Sequence, residues 1–272
     1  MQAFKMNGAG NAFLLIDARE QSISMDAAQV QRLATRDAFD QVLLLESSDL
    51  GDARYRIWNR DGEEVGACGN GARCAAWHLM RDAGNAAVML DTPYGLTEAR
   101  RIGAYDVSVD LGPARTDWEN IPLARAMDTR NLDYELVAEG VSVAKPGAVS
   151  MGNPHIVFCV SDLENTPVET LGKRAERDPL FPDGVNAGFM QILDRQMIRL
   201  RVWERGAGLT KACGTGAAAA IVAGHRKGLL ERNCRVIADG GELSIRWQQD
   251  NHVWLDGPVE LNGEIDLREY LT

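Results

Sequence analysis

A repeat inside the chain constrains its fold more than any other feature. The segment RIWNRDGEEVGACGNGA at 56–72 aligns without a gap to RVWERGAGLTKACGTGA, 145 residues later at 201–217. In that register Arg56 meets Arg201, Trp58 meets Trp203, Arg60 meets Arg205, and two Cys-Gly-x-Gly-Ala runs coincide. The same offset pairs Gln41 with Asn186, and a slightly shorter one pairs Gly10-Asn11 with Gly152-Asn153. Solenoid repeats have periods of roughly 20 to 50 residues, so a period this long implies duplication of a domain-sized unit.

Each copy reads as strand, turn and helix. The alternating Tyr55-Arg56-Ile57-Trp58 and Leu200-Arg201-Val202-Trp203 predict strands that give way to glycine-rich turns. Helices are expected over Ala72–Asp82, ending at Gly84, and over Ala217–Lys227, ending at Gly228, because each has a basic residue near its end and glycine after it. Both are rich in alanine and apolar on most faces, which predicts burial on several sides. Further alternating stretches at Asp106–Asp110, Ile156–Phe158 and Glu242–Ile245 read as strands. The expected class is α/β (α+β): two pseudo-symmetric domains, each a curved mixed sheet around one central helix. The boundary is expected near Leu111–Asp117, where Gly112-Pro113 should interrupt the chain. That gives an N-terminal half at 1–113 and a C-terminal half at 114–259.

Composition removes several classes of function. A formal charge of −10 argues against a nucleic-acid or anionic-membrane surface, since such partners need clustered Lys and Arg. No run approaches the length of a membrane span. The early apolar Phe13-Leu14-Leu15-Ile16 meets Asp17 directly, unlike a cleavable signal. Five cysteines without paired spacing fit a reducing cytoplasm rather than a disulfide framework, and Cys68 and Cys74 lack metal-ligand spacing. No metal is expected. Cys74, Cys159 and Cys234 are expected to be packing residues.

The repeated Cys-Gly-x-Gly carries the chemistry. A cysteine at a helix start is stabilised as thiolate by unpaired N–H groups and the positive end of the dipole, which makes it a usable base. Gly69 and Gly71, like Gly214 and Gly216, would let a carboxylate approach the backbone amides closely. Two such starts facing one α-carbon would place a thiolate on one side and a thiol on the other. Amides aimed at the carboxylate between them would stabilise the carbanion-like transition state without a pyridoxal cofactor. The expected catalytic pair is therefore Cys68 and Cys213, with no cofactor, and no dinucleotide or P-loop motif is present.

At these residues the chain resembles the diaminopimelate epimerases. The likeness rests on MNGAGNAF at 6–13, FDQ at 39–41, the ACGNGARC block, MGNPH at 151–155, VNAGFM at 185–190 and ERGAGLTKACGTG at 204–216. It implies cofactor-independent interconversion of LL- and meso-2,6-diaminopimelate by two cysteines, feeding lysine and peptidoglycan precursors. It further implies that Gly69, Asn70, Gly214 and Thr215 supply amides to the reacting carboxylate. Asn11, Gln41 and Glu204 would lie near the reacting amine. Asn59, Asn153, Asn186 and Arg205 resemble the residues that hold the distal end, and His155 would support the site. The resemblance also brings a last strand, roughly Gly263 to Thr272 within 260–272, back to the N-terminal half. The family's usual Gly-Asn-Asp-Phe reads Gly10-Asn11-Ala12-Phe13 here, and Leu209 stands where an acidic residue often follows Glu-Arg-Gly-x-Gly; neither change removes a proton-transfer group. The partner implied is a small amino acid, with a homodimer as an assembly open to the chain. Two other readings are a two-cysteine racemase of proline or hydroxyproline type and a non-catalytic amino-acid binding protein.

Overall fold

The computed structural model describes residues 2–21, 23–66 and 68–267, and the chain divides into two units. One is made of Met1–Asp110 with Asp256–Thr272, the other of Leu111–Leu255.

The first unit runs β1 (Gln2–Gly8), β2 (Asn11–Asp17), α1 (Ala27–Arg36), β3 (Gln41–Glu46), β4 (Ala53–Asn59), the short β5 (Glu64–Val65), α2 (Gly69–Ala83), β6 (Ala87–Thr92), β7 (Gly95–Arg101) and β8 (Asp106–Pro113). The second opens with a hairpin of β9 (Glu135–Ala138) and β10 (Val141–Ala144). It continues through β11 (Gly147–Ser150), β12 (Pro154–Cys159), α3 (Val168–Glu176), β13 (Asn186–Asp194), β14 (Met197–Glu204), β15 (Gly208–Thr210), α4 (Gly214–Arg226), β16 (Asn233–Ala238), β17 (Gly241–Trp247) and β18 (His252–Pro258). β19 (Glu260–Asp266) then pairs antiparallel with β1.

The duplication is complete at the level of strand pairing. From β1 to β7, successive neighbours β1–β2, β2–β3, β3–β4, β4–β6 and β6–β7 are antiparallel, parallel, antiparallel, parallel and antiparallel. From β11 to β17, the neighbours β11–β12, β12–β13, β13–β14, β14–β16 and β16–β17 repeat that series. Both helices of the first unit have counterparts in the second.

The parallel pair β2–β3 shows why these segments become inner strands. NAFLLID and QVLLLE are continuous apolar runs buried on both faces, as a strand covered on two sides requires. Leu14, Ile16, Val42 and Leu44 form one cluster with Val30 and Leu33 of α1. The alternate residue Leu43 faces α2, since its side chain lies against Gly71 of that helix. In the second unit α3 packs Val168, Leu171 and Ala175 against Ile156, Phe158 and Phe189. The two alanine-rich helices are the central ones: α2 is buried at every residue from Gly69 to Met80, and α4 from Gly216 to Gly224. Six strands, β11–β14, β16 and β17, pack around α4.

The structure departs from the sequence reading in three places. β8 does not break at Gly112-Pro113; Gly112 takes a φ of 80° and the strand continues through Pro113. A proline at the last residue of a strand costs the ladder little, which is why the pair fails to interrupt it. β19, at Glu260–Asp266, falls within the expected span of the last strand, and residues 268–272 of that span lie outside the described residues. Cys159 is exposed at the end of β12, whereas Cys74 and Cys234 are buried. Finally, α1 and α3 were not foreseen, although α1 carries a reciprocal capping box: Asp26 Oδ1 accepts from the Gln29 amide at 2.8 Å, and Gln29 Oε1 from the Asp26 amide at 2.9 Å.

Candidate active site

In the first unit, Asn11 opens β2, Gln41 opens β3 and Asn59 closes β4, so strand pairing gathers all three at one end of the sheet. Gln41 and Asn59 are direct partners in register, and Gln41 Nε2 donates to Asn59 Oδ1 at 2.9 Å. Asn70 Nδ2 donates to Asn11 Oδ1 at 2.7 Å and ties the helix start to the strand start. Ala12, at the position where the sequence departs from its usual pattern, gives its amide to Asp40 Oδ2 at 2.9 Å. Cys68 is the N-cap of α2: its backbone is extended and its Sγ accepts from the Gly71 amide at 3.3 Å. The helix start is pressed so tightly onto the sheet that a Cβ at Gly71 would lie 2.5 Å from Tyr55 Oη and 2.9 Å from Leu43 Cδ2.

The second unit builds the same arrangement from different side chains. His155 of β12 stands beside Asn186, the first residue of β13, and Glu204 closes the neighbouring β14. Cys213 is the N-cap of α4, its Sγ accepting from the Gly216 amide at 3.3 Å. A Cβ at Gly216 would come within 2.9 Å of Val202 Cγ2. Thr215 Oγ1 lies 3.6 Å from Cys213 Sγ, 3.4 Å from Asn153 Nδ2 and 3.1 Å from His155 Nε2. His155 Nε2 is also 3.0 Å from Asn153 Oδ1, so this imidazole joins an amide and a hydroxyl in the first turn of the helix. Asn186 Oδ1 accepts from the Arg205 amide at 2.9 Å, and its Nδ2 donates to Pro154 O at 2.8 Å.

The expected residues therefore fall into two groups. Asn11, Gln41, Asn59, Cys68, Gly69 and Asn70 belong to the first unit; Asn153, His155, Asn186, Glu204, Arg205, Cys213, Gly214 and Thr215 belong to the second. The guanidinium of Arg205 stands somewhat apart from its neighbours: the residue is exposed and Nη1 donates to Asp183 O at 2.6 Å. Its counterpart Arg60 has an evident scaffold role, Nη2 donating at 2.9 Å to Ala34 O in the last turn of α1. Among the described residues no group of three His, Cys, Asp or Glu side chains could hold a metal ion, and no helix is long and apolar enough to cross a membrane.

Comparison with known proteins adds to this geometry. A family model described as diaminopimelate epimerase matches residues 3–116 and 147–262. The chain belongs to that family. The diaminopimelate epimerase of Phenylobacterium zucineum is 49% identical over 96% of each chain. That of Nitrosomonas europaea is 45% identical over 97% of this chain and 98% of its own. Among solved structures, a hydroxyproline epimerase from Agrobacterium vitis has a TM-score of 0.69 at 16% identity, covering 97% of this chain and 90% of its own. A phenazine biosynthesis protein of the PhzF type from Bacillus anthracis has a TM-score of 0.63 at 13% identity, covering 97% and 98%. The last two likenesses concern fold alone.

Within this epimerase family member the two thiols have different surroundings. Burial, with the Glu204 carboxylate next to it, pushes the Cys213 thiol well above its ordinary range, against the weaker pull of the Thr215 and Gly216 hydrogen bonds. A helix start favours the thiolate, but at Cys213 desolvation and a like charge oppose it and favour the thiol. Burial raises Glu204 as well, offset by hydrogen bonds from Thr210 Oγ1 and Cys213. Burial, together with Arg205, lowers His155 to about 3, so its ring is neutral at physiological pH. Thr210 and Asp40 were not foreseen in the sequence, although Asp40 lies inside the FDQ run; Thr210 carried no signal beyond its place three residues before the second Cys-Gly-x-Gly turn.

Proposed function

We propose that this chain interconverts LL- and meso-2,6-diaminopimelate by removing the α-proton with one cysteine thiolate and returning a proton from the other cysteine's thiol. The observation that carries the reading is the pair of helix-capping cysteines, each set in the same duplicated strand-and-helix frame with its Sγ at the first turn. Membership of the family and the names of relatives 49% and 45% identical support the substrate.

In the proposed step a thiolate breaks the Cα–H bond and becomes a thiol. The electron pair passes into the adjoining carboxylate, and the other thiol returns a proton to the opposite face of the same carbon. The reverse reaction exchanges the two roles, so atoms and charge balance without a redox partner. The first-turn positions Gly69, Asn70, Gly214 and Thr215 would aim amides at the reacting carboxylate, where negative charge grows. Such donors lower the barrier to proton removal and make a pyridoxal cofactor unnecessary. Asn11, Gln41 and Glu204 would receive the reacting amine. Asn59, Asn153, Asn186 and Arg205 would hold the distal amino-acid end, and His155 would steady Asn153 and Thr215. We further infer a cytoplasmic setting, supported by five free cysteines, and a place in lysine and peptidoglycan precursor synthesis. A homodimer is the assembly that sedimentation velocity would test.

Turnover of LL-diaminopimelate in deuterated water tests the reading. The expected result is formation of the meso isomer with deuterium at the inverted α-carbon, abolished by Cys68→Ala or Cys213→Ala. Binding without deuterium uptake would mark an amino-acid binding protein. Turnover of proline instead of diaminopimelate would reassign the substrate.

A further inference from the structure

Arg73 has 0% of its surface exposed, the least common place for an arginine. It lies in the second turn of α2, five residues after Cys68. Nη1 donates to Asn70 Oδ1 at 3.0 Å, and Asn70 passes the contact on to Asn11. Nε and Nη2 have no hydrogen-bond partner among the described residues. A buried guanidinium with two idle donors is costly, and stability alone gives no reason to keep it. Burial lowers its pKa, but guanidinium stays protonated under all ordinary conditions.

Among the described residues, the charges facing this cation are few. It is electrostatically coupled to Cys68, Cys74 and Asp256. Burial pushes the Cys74 thiol up to about 12, which leaves it neutral. Tyr55, whose hydroxyl donates to Cys68 O at 3.4 Å, is held protonated by burial too. Glu260 of β19 couples to Cys74. Among the described residues, Asp256 and Cys68 are thus the ionisable groups coupled to the cation that are not held neutral by burial.

In the register that superposes the two cysteines, Arg73 falls on Ala218, and Asn59 falls on Glu204. The first helix start has a cation behind it; the second has a buried methyl group there and a carboxylate bonded to its thiol.

We propose that Arg73 is a positioning residue for proton transfer: it fixes Asn70 and Asn11 at the first helix start and favours the thiolate of Cys68, while Ala218 and Glu204 leave Cys213 as the resting acid. The inference rests on the reading of Cys68 and Cys213 as acid/base groups. It assigns the resting base of the pair and explains why the duplicated halves diverged at two positions beside otherwise matching cysteines.

The test is site-resolved alkylation of the whole, substrate-free protein by iodoacetamide across about pH 5.5 to 10, read by peptide mass spectrometry. In the wild type the pH midpoint for Cys68 should lie below that for Cys213. Arg73→Met should raise the Cys68 midpoint by about one pH unit, a roughly tenfold slower reaction at a fixed pH below it, and leave Cys213 unmoved. The acid limb of the kcat/KM profile should shift with it. Arg73→Lys, which keeps the charge, should hold the midpoint within about 0.3 units while lowering kcat through the lost Asn70 contact. An unshifted Cys68 in folded Arg73→Met protein, or an equal shift at Cys213, would overturn the proposal. Should the methionine variant fail to fold, the wild-type order still decides, because Cys213 titrating before Cys68 refutes it. Failure of the underlying reading has a separate signature, full turnover by Cys68→Ala, whereas the midpoints are measured without turnover.

Discussion

Each catalytic candidate does a second job in the scaffold, and substitutions can separate the two. Because Sγ caps its helix, Cys213→Ala should lose both cap and acid. Cys213→Ser keeps a side-chain acceptor and should be equally inactive yet at least as stable as wild type. The alanine variant should melt about 2–4 °C lower, the effect of roughly 1 kcal/mol in a domain of this size. Differential scanning calorimetry of the two inactive variants checks this. The arginines at equivalent positions should part in the opposite sense. Arg205→Met should lower diaminopimelate turnover by a factor of about 100 or more, as a charged bond to the substrate worth roughly 3 kcal/mol implies. Arg60→Met should leave kcat/KM within about threefold and cost about 1 kcal/mol of stability, through the carbonyl of Ala34 at the end of α1. Steady-state kinetics and urea midpoints read both. His155 yields a pH dependence. Its pKa falls from 6.5 to about 3 on folding, so between those values the unfolded chain binds a proton that the native one refuses. Stability must therefore rise with pH through that window and be lost as pH falls, by an amount on the order of a few kcal/mol. His155→Asn should flatten the profile of urea midpoints between about pH 4 and 6.5.

At the scale of elements, the glycines of the two helix starts serve packing first. Gly71→Ala and Gly216→Ala drive a methyl into Tyr55 and Val202, and should cost about 1–3 kcal/mol while displacing the thiol beside them. Gly188→Ala is the control, since its nearest contact would be Leu200 Cδ1 at 3.6 Å; equal losses at all three sites in denaturation experiments would remove the distinction. These elements also show what a sequence can and cannot reveal. Cys68, Cys213 and their helices were legible because the same short pattern appears twice, and a pattern seen twice is its own control. α1 carries a readable capping box but lies outside the repeated motif, and α3 starts after Pro167 with no side-chain cap to announce it. Arg73 was invisible as a functional residue for a different reason. In sequence an arginine in a helix reads as a solvated face, and only its burial between α2 and the sheet changes that meaning. Which of the two cysteines is the more desolvated could not be read in the sequence, because burial depends on how the whole fold packs around the thiol.

The molecule as a whole carries a charge of −10 and an isoelectric point near 5.0. It should be most prone to precipitate near that pH and freely soluble at pH 7, which turbidity measurements would establish. β19 is the strand that pairs with β1 and completes the border of the first unit. β1 is made long before β19 during synthesis, so one border of the first unit stays open while all the strands between them are being produced. During that interval β1 offers unpaired amides and carbonyls along one side, the kind of template on which strands of other molecules can add. A chain that stops at Leu255 would keep this border permanently open and should aggregate, as light scattering would show. For this protein the quality of the final few strands thus governs the safety of the first.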